Sequence, residues 1–294
     1  MKLVSDVFEI AESFMVAPYH AYIIPERFNG MATVMKNEGK PTFPIPIVKN
    51  IFKGIVLELV AASVNYCYWF GSHSIRPEGC NSVKMYEFLD ESFIVMNKLR
   101  EMAMYDPQHE VEIIIDTFID KLSIARFPLL DHRIRHLTEV RNRLDLVHVI
   151  DRCVSTDDFS VDGWLQYLVR SFPGYGKDLF LKRAFLFIIQ MYRRLRLFKE
   201  GMDRVSVPAD YQIPKVLRSL GCLKYNYPLD FMVKNGRLIP EGSTMETEIR
   251  AATIVVCSKI ATLAQCYPAE VDTYLFAKRN ACKDPFHLTI TTNY

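Results

Sequence analysis

The chain has 294 residues and a formal net charge of +2, from 36 Lys and Arg against 34 Asp and Glu, and 50% of its residues are hydrophobic. This composition excludes a disordered or fibrous protein and allows a full hydrophobic core. The small net charge argues against a protein that coats duplex DNA, because such proteins carry a strong basic excess.

Charged residues interrupt the strongly apolar stretches of the sequence. Asp6 lies in the first of them, which therefore predicts an amphipathic helix rather than a signal peptide. Lys53 interrupts residues 51–70, and Lys259 interrupts residues 251–266. Neither stretch reaches the roughly 18 to 20 uninterrupted apolar residues that a membrane span needs. We therefore expect a soluble, cytoplasmic protein with no membrane partner.

The seven cysteines are scattered along the chain and include no Cys-x-x-Cys pair. Several lie within apolar periodic segments, such as Cys257, which follows two valines. An odd set of isolated cysteines is typical of reduced thiols and does not suggest a disulfide framework or a zinc site.

Apolar residues recur at spacings of three and four over most of the chain, which is the period of an amphipathic helix. In chain order, helices are predicted at the N-terminus and over residues 47–64, 84–104, 109–126, 129–150, 161–171, 178–198, 212–221 and 245–266. Strand patterns occur only at residues 21–24 and 288–292. No internal repeat or low-complexity linker divides the chain. We expect a mainly α protein with a minor β element, organised as a single domain over residues 1–294, with two lobes as an open alternative.

A glycine-rich turn precedes the predicted helix over residues 178–198. It contains the sequence Pro-Gly-Tyr-Gly at residues 173–176, and glycines in such turns commonly adopt positive φ angles. The N–H groups at the start of the next helix would face outward, where an anion can bind. Lys182 and Arg183 add two cations at this helix start. These features predict a phosphate site, with an ordinary connection between two helices as the alternative.

Asp210 lies at the N-terminal edge of the short predicted helix over residues 212–221. A carboxylate at this position commonly accepts hydrogen bonds from backbone N–H groups, so one interpretation is a helix cap. The order of a Pro-Gly-x-Gly hairpin, a helix and then an Asp also resembles that of helix-hairpin-helix base-excision glycosylases. Cleavage of an N-glycosidic bond builds positive charge on the sugar, which a carboxylate beneath C1′ can stabilise or attack. Asp210 is therefore the candidate catalytic residue.

Three other groups of residues have both a functional and a structural interpretation. His132 and His136 have a spacing able to bind a metal, but the flanking arginines favour a solvent-exposed helix face. Glu246 and Glu248 lie in the first turn of a predicted helix, where carboxylates either complement the dipole or contact a base. The aromatic block at residues 66–70 is either core or a wall for a planar ring. No GxxxxGK[ST], GxSxG or HExxH motif supports another hydrolase class.

Several blocks of the sequence together resemble the queuosine salvage family, the queuosine 5′-phosphate N-glycosylases. In family order over residues 60–294, these blocks are Asn65-Tyr66-Cys67-Tyr68-Trp69, Pro128-Leu129-Leu130-Asp131-His132-Arg133, Ser171-Phe172-Pro173, Lys182-Arg183-Ala184, Ala209-Asp210-Tyr211-Gln212-Ile213-Pro214-Lys215-Val216-Leu217, Glu246-Thr247-Glu248-Ile249-Arg250-Ala251 and Pro285-Phe286-His287-Leu288-Thr289, with the tail to Tyr294. No single block is decisive, but their joint order argues against chance.

The resemblance implies a helical domain, related to helix-hairpin-helix DNA glycosylases, that acts on a free nucleotide. It implies hydrolysis of queuosine 5′-monophosphate to queuine, a 7-deazaguanine base, and ribose 5-phosphate, with no metal or organic cofactor. Asp210 falls on the Asp of the family motif Asp-Tyr-x-x-Pro and would be the catalytic carboxylate, while Lys182 and Tyr211 would hold the 5′-phosphate. The residues that would contribute to the base pocket are Tyr68, Trp69 and His287.

Two other functions stay open at this point. The first is a glycosylase acting on another modified nucleotide or on a base in DNA or RNA. The second is a helical binding protein without enzymatic activity, in which Asp210 only caps a helix. An enzyme would also need groups that contact the base edge or orient water, and the candidates are Asp178, Glu246 and Glu248. The small net charge favours a small nucleotide as the partner over a long nucleic acid.

Overall fold

The computed structural model of the chain describes residues 4–39, 51–69, 111–124, 129–143, 160–198 and 200–294. The predicted helix over residues 84–104 lies outside this part of the chain, as do residues 144–150 of a second predicted helix. Phe70 of the aromatic block, Pro128, and two of the seven cysteines, Cys80 and Cys153, also lie outside it.

Helices form most of the described structure. In chain order they are α1 (Val4–Phe14), α2 (Phe28–Glu38), α3 (Ile51–Ser63), α4 (Val111–Ile124), α5 (Leu130–Arg141), α6 (Val161–Ser171), α7 (Pro173–Gly176), α8 (Lys182–Leu195), α9 (Gln212–Ser219), α10 (Tyr227–Lys234), α11 (Thr244–Ala264) and α12 (Pro268–Lys278). Strands β1 (Ala21–Ile23) and β2 (Leu223–Tyr225) pair antiparallel, with Ala21 opposite Tyr225. The prediction of a mainly α protein with a minor β element is confirmed.

The differences from the predicted elements concern short segments. The spacing of apolar residues does not predict α2, α10, α12 or β2. These elements are too short to show a long apolar repeat, and individual residues mark where they begin. Asn226 accepts a hydrogen bond from the N–H of Leu229 at the start of α10, and Pro268 is the first residue of α12. The predicted strand at residues 288–292 is wrong, because Leu288 forms only an isolated bridge with Leu238.

Helix α11 lies at the centre of the described core and packs against α1, α2, α9, α12 and β1. Every residue from 246 to 257 is buried, so this stretch has no solvent-facing side. It nevertheless contains three charged residues, Glu246, Glu248 and Arg250. Because a buried charge is costly without a partner, these side chains must be paired inside the protein.

Among the described residues, six non-glycine residues outside the helices adopt a left-handed conformation that is uncommon for residues other than glycine, and two of them lie next to candidate site residues. Cys67, shortly after α3, has φ of 41°, and Leu181, just before α8, has φ of 50°. Such conformations cost about 1–3 kcal/mol and persist only where the surrounding contacts impose them. Both residues adjoin candidate site residues, namely Tyr68 and Lys182, so the fold constrains the backbone at these points.

The described helices and cysteines bear on the predictions about membrane spans and disulfides. Among the described residues, no single helix combines the length and apolar character of a membrane span; α11 and α12 meet these criteria only jointly, across a bend of 108°. The described cysteines are free thiols, and they are Cys67, Cys222, Cys257, Cys266 and Cys282.

Candidate active site

Four parts of the fold bring three charged side chains and one amide side chain together. They are the segment that follows α3, the first turn of α8, the residues that precede α9, and the middle of α12. Helix α9 packs against α12, and α8 packs against α3. Asp210 and Asp272 both act electrostatically on Lys182, so these three charges lie near one another. With Asn65, which Lys182 contacts directly, they form what we call the active-site cluster.

Lys182 is buried at the first position of α8. Its ammonium group donates to Asn65 twice, to the backbone carbonyl at 2.8 Å and to Oδ1 at 2.6 Å. Burial lowers the pKa of Lys182 to about 8, against the opposing effect of the Asp210 and Asp272 charges. The contact with Asn65 also ties the start of α8 to the segment that follows α3.

Asp178 lies four residues before the start of α8. Its carboxylate accepts hydrogen bonds from the N–H groups of Phe180 at 3.1 Å and Lys182 at 2.8 Å, and from Arg250 Nη2 at 2.7 Å. Burial alone would raise the pKa of Asp178, but Arg250 and the two N–H groups outweigh it and lower that pKa. The N–H groups that the sequence assigned to a phosphate are therefore already bound to a carboxylate of the protein.

The glycines before α8 serve close packing rather than a positive φ angle. Neither Gly174 nor Gly176 has positive φ, so that prediction is wrong. A Cβ atom on Gly174 would lie 2.9 Å from Arg183 Nη2 and 3.1 Å from His136 Nε2, and one on Gly176 would lie 3.1 Å from Val169 Cγ1. Glycine is required here because neighbouring side chains occupy the space of a side chain.

Asp210 is partly buried and lies two residues before α9. Its Oδ1 accepts a hydrogen bond from the N–H of Gln212 at 2.7 Å, as expected of a carboxylate at a helix start. The carbonyl of the preceding residue, Ala209, accepts a hydrogen bond from Arg250 Nε at 2.9 Å. Among the described residues, Oδ2 of Asp210 has no hydrogen-bond partner. One carboxylate oxygen thus fixes the side chain and the other can contact a ligand.

Asp272 on α12 is a member of the cluster that the sequence patterns did not identify. Burial and the negative charge of Asp210 raise its pKa to about 7, against the opposing effect of Arg193 and Lys182. Asp272 is partly buried, and within the described part of the chain it has no hydrogen bond or ion pair. Two neighbouring carboxylates in different electrostatic surroundings are the arrangement used for acid and base roles in glycosidic-bond cleavage.

Aromatic side chains contact the residue next to Asp210. The hydroxyl of Tyr211 accepts a hydrogen bond from the N–H of Tyr68 at 3.3 Å, and its ring packs on Phe286 with 4.9 Å between centroids. Burial, followed by the charge of Asp210, raises the pKa of Tyr211 well above its usual value, so the phenol keeps its proton. Trp69 is buried, and its Nε1 has no hydrogen-bond partner among the residues that the structure describes. The aromatic block is thereby brought to the segment that contains Asp210.

Glu248 is engaged by the N-terminal part of the chain. Its carboxylate accepts hydrogen bonds from three successive backbone N–H groups, those of Tyr19 at 3.1 Å, His20 at 2.6 Å and Ala21 at 3.0 Å. These bonds fix the start of β1 on α11. The structure therefore places Glu248 at the β1 anchor, apart from the active-site cluster.

Glu246 and His287 lie in a second buried network. Glu246 accepts hydrogen bonds from the N–H of Gly242 at 3.1 Å and from Arg250 Nη1 at 3.4 Å. His287 Nε2 lies 3.2 Å from the hydroxyl of Tyr294. Burial, with the charge of Arg250, lowers the pKa of His287 to about 3, so its imidazole is neutral near pH 7. Both residues have partners inside the protein.

His136 and Arg133 are buried, which corrects the prediction of a solvent-exposed helix face. His136 Nδ1 lies 3.1 Å from the hydroxyl of Tyr66, and burial, followed by the charge of Arg183, lowers its pKa to about 3. His132 remains exposed. No cluster of metal-binding side chains occurs among the described residues.

Arg133 explains how the segment after α3 is held in place. Its guanidinium donates to the backbone carbonyls of Val64, Tyr66 and Cys67, and it lies over the ring of Tyr66, 4.4 Å from the centroid. Carbonyls at the end of a helix carry partial negative charge, which a buried arginine complements. Arg133 therefore supports the turn that presents Asn65 to the cluster.

Comparison with known proteins identifies the family. The model of the queuosine salvage protein family matches residues 57–292, which is most of the chain. The chain therefore belongs to the queuosine salvage protein family.

Three curated relatives carry the name queuosine 5′-phosphate N-glycosylase/hydrolase. The protein from Dictyostelium discoideum is 33% identical over 133 residues, covering 40% of this chain and 41% of the relative. The Sphaerobacter thermophilus protein is 27% identical over 215 residues, covering 67% and 65%. The Mus musculus protein is 28% identical over 166 residues, covering 52% and 49%. The chain thus spans 41% to 65% of the length of these relatives.

Proposed function

We propose that this chain hydrolyses the N-glycosidic bond of queuosine 5′-monophosphate and releases queuine and ribose 5-phosphate, so that the base can return to tRNA modification. The family and the names of the relatives support this substrate. The main structural support is the environment of Asp210. Its Oδ1 accepts a hydrogen bond from the N–H of Gln212, while its Oδ2 has no partner within the described residues. A small nucleotide also suits a chain with a net charge of only +2.

In the proposed reaction, the bond between C1′ and N9 breaks and its electron pair leaves with the base. Positive charge develops on the ribose, and the carboxylate of Asp210 stabilises it beneath C1′. The oxygen of a water molecule forms the new bond to C1′ and gives up one proton, and the departing base gains one. Asp210 acts through its charge, which is why its fixed orientation matters.

Asp272 is the proposed proton donor to the leaving base. A 7-deazaguanine has carbon in place of N7, so protonation at N7 cannot assist its departure, and an acid must act at another atom of the base. The pKa of Asp272, raised to about 7 chiefly by burial, leaves a large protonated fraction near neutral pH. The sequence suggested three other carboxylates for contact with the edge of the base. They are Asp178, Glu246 and Glu248, and each already has a hydrogen-bond partner in the protein.

The remaining proposed contacts concern the base pocket and the phosphate. Trp69 Nε1 is a buried donor with no partner in the described part of the chain, which suits a carbonyl oxygen on the base, and Tyr68 is the adjacent residue. Tyr211 accepts a hydrogen bond from Tyr68 but still has its own hydroxyl proton to donate. Lys182 and Tyr211 are proposed to contact the phosphate or ribose oxygens, and His287 is proposed to support the pocket from its buried position.

The substrate is tested with purified wild-type protein and three compounds: queuosine 5′-monophosphate, the unphosphorylated nucleoside queuosine and guanosine 5′-monophosphate. Free base is measured by mass spectrometry over time. We expect queuine to be released from the monophosphate, much less from the nucleoside, and no guanine from guanosine 5′-monophosphate. Release of no base from queuosine 5′-monophosphate, or equal release of guanine, would overturn the proposed substrate.

A further inference from the structure

Arg250 of α11 donates hydrogen bonds to two other segments around the active-site cluster and to one residue of its own helix. Its Nη2 donates to Asp178 at 2.7 Å, its Nε to the carbonyl of Ala209 at 2.9 Å, and its Nη1 to Glu246 at 3.4 Å. Its guanidinium lies over the ring of Tyr294, with 4.3 Å to the centroid. The side chain is buried, so water does not satisfy any of these groups.

The contact with Asp178 fixes one side of the cluster. Asp178 accepts the N–H of Lys182, so a guanidinium bound to this carboxylate holds the first turn of α8. The left-handed φ of 50° at Leu181 lies between these two residues and needs such external contacts to persist. Arg250 also lies over the ring of Phe180, 5.0 Å from its centroid.

The contact with Ala209 fixes the other side. Residues 205–210 belong to no helix or strand, and all but residue 210 are buried. The bond from Arg250 Nε to the carbonyl of Ala209 therefore fixes the peptide that precedes Asp210. One planar guanidinium thus sets the position of Lys182, through Asp178, relative to that of Asp210.

We propose that Arg250 is the positioning residue that sets the geometry between Asp210 and Lys182 for bond cleavage, without contacting the substrate. This inference rests on the proposed function. An arginine is needed because its planar group donates in several fixed directions at once, whereas a lysine ammonium at the end of a shorter chain cannot reach all three acceptors. A displacement of about 1 Å in a reacting group can cost about a hundredfold in rate.

The test compares Arg250→Lys and Asp178→Asn, singly and together, with a matched control, Arg218→Lys. Arg218 also binds a carboxylate, that of Asp230 at 2.7 Å, a backbone carbonyl, that of Pro285, and an aromatic ring, that of Tyr225. It belongs to α9 and has no part in the proposed reaction. All variants are measured for kcat, KM and thermal unfolding.

We expect Arg250→Lys to lower kcat by about tenfold to a hundredfold while KM changes by less than about threefold, because the loss is confined to the transition state. Asp178→Asn should lower kcat similarly. The double variant should be no more than about twofold slower than either single one, since the two residues act as a unit. Arg218→Lys should lose comparable stability but keep kcat within about twofold.

The inference is overturned if Arg250→Lys keeps its kcat, or if Arg218→Lys loses kcat equally at an equal loss of stability. If Arg250→Lys does not fold, the same criteria apply to Asp178→Asn. Crystal structures of the wild type and the variants test the geometry independently of turnover, with displacement of Asp210 from Lys182 expected only in the Arg250 and Asp178 variants. If the wild type is inactive on queuosine 5′-monophosphate, only the proposed function is contradicted. If Asp210 keeps its position relative to Lys182 in the Arg250 and Asp178 variants, the positioning role is contradicted.

Discussion

The carboxyl groups of Asp178 and Asp272 are both removed from bulk water, yet their pKa values shift in opposite directions. Asp178 has Arg250 and two backbone N–H groups as partners, which stabilise its charged form. Burial raises the pKa of Asp272, the charge of Asp210 raises it further, and no hydrogen bond within the described residues opposes the rise, so its neutral form is favoured. Burial acts in the same direction on both carboxylates, and the partners of Asp178 reverse its effect there.

Replacement of Asp272 by asparagine should stabilise the protein in a pH-dependent way. A carboxyl group whose pKa is raised in the folded state costs stability as pH rises from its unfolded value, near 3.8, to its folded value, about 7. The Tm advantage of Asp272→Asn over the wild type should therefore be absent near pH 3.5, grow up to pH 7 and stay constant above it. Thermal unfolding across this range checks the prediction, and an advantage that shrinks as pH rises would contradict it.

The rate of base release should also depend on the protonation of Asp272. If its protonated form donates to the base, kcat falls as pH rises through about 7, and loss of the Lys182 charge near pH 8 adds to the decline. The two groups act on each other, so the measured values belong to the pair. Asp272→Asn should be slower by about 10²–10⁴-fold and lose the inflection near pH 7. A variant with an unchanged pH profile would exclude Asp272 as the acid.

The turn before α8 has one feature that the sequence predicts, the order of its residues, and one that it does not, the packing of Gly174. The order of the turn, the basic helix start and the later Asp is visible in the sequence because it is a linear order of residue types and requires no knowledge of tertiary contacts. The packing of Gly174 against Arg183 and His136 is not visible, because His136 is 38 residues away along the sequence. A glycine in a turn suggests positive φ when only local rules are used.

The packing role of Gly174 predicts opposite effects for two glycine-to-alanine substitutions. Gly174→Ala should destabilise the protein by about 1–3 kcal/mol, because its Cβ would crowd Arg183 and His136. Gly30→Ala, within α2, should stabilise it by about 0.5–1 kcal/mol, because nothing lies within 4 Å and alanine favours a helix. Denaturant unfolding measures both, and a neutral Gly174→Ala would contradict the packing role.

The anchor between α11 and β1 predicts a structural rather than a substrate-binding effect for Glu248. Glu248→Gln removes charge from three hydrogen bonds and should cost about 1–3 kcal/mol. Where the variant remains folded, its KM for the nucleotide should equal that of the wild type. Glu12→Gln is the control, because Glu12 is exposed and its pair with Lys259 should contribute less than about 0.5 kcal/mol. A higher KM of Glu248→Gln than of the wild type would instead indicate that Glu248 contacts the base of the nucleotide.

At the scale of the whole molecule, the sequence predicts the helical class and the segment with Asp210, but not the complete cluster. Asp272 lies in α12, which lacks the long apolar period of the predicted helices and begins at a proline. The positions of Glu248 and Arg250 on α11 are visible, yet their partners come from the N-terminal segment and from residues 178 and 209. Such contacts depend on tertiary packing, which a residue pattern does not contain.

The small net charge of the whole chain predicts weak interaction with nucleic-acid polymers. With an excess of only two positive charges, a long oligonucleotide should not inhibit hydrolysis of the nucleotide substrate at physiological salt. Competition assays at about 50 and 200 mM salt check this, since binding through many phosphates loses about 10³–10⁵ in affinity over that range. Strong inhibition with such a salt dependence would indicate a polymeric substrate.

A comparison of two carboxylate variants shows whether the charge of Asp210 stabilises the transition state. Asp210→Asn keeps the shape of the side chain and an oxygen that accepts the N–H of Gln212. Asp230→Asn is the control, since Asp230 pairs with Arg218 and Lys234 outside the cluster. For both variants, the Kd for queuosine 5′-monophosphate and the rate of queuine release are measured. We predict that Asp210→Asn binds the nucleotide and stays folded but releases queuine at least about a thousandfold more slowly than the wild type, while Asp230→Asn keeps its rate. Queuine release by Asp210→Asn at the wild-type rate would contradict the account and leave Asp210 as a helix cap.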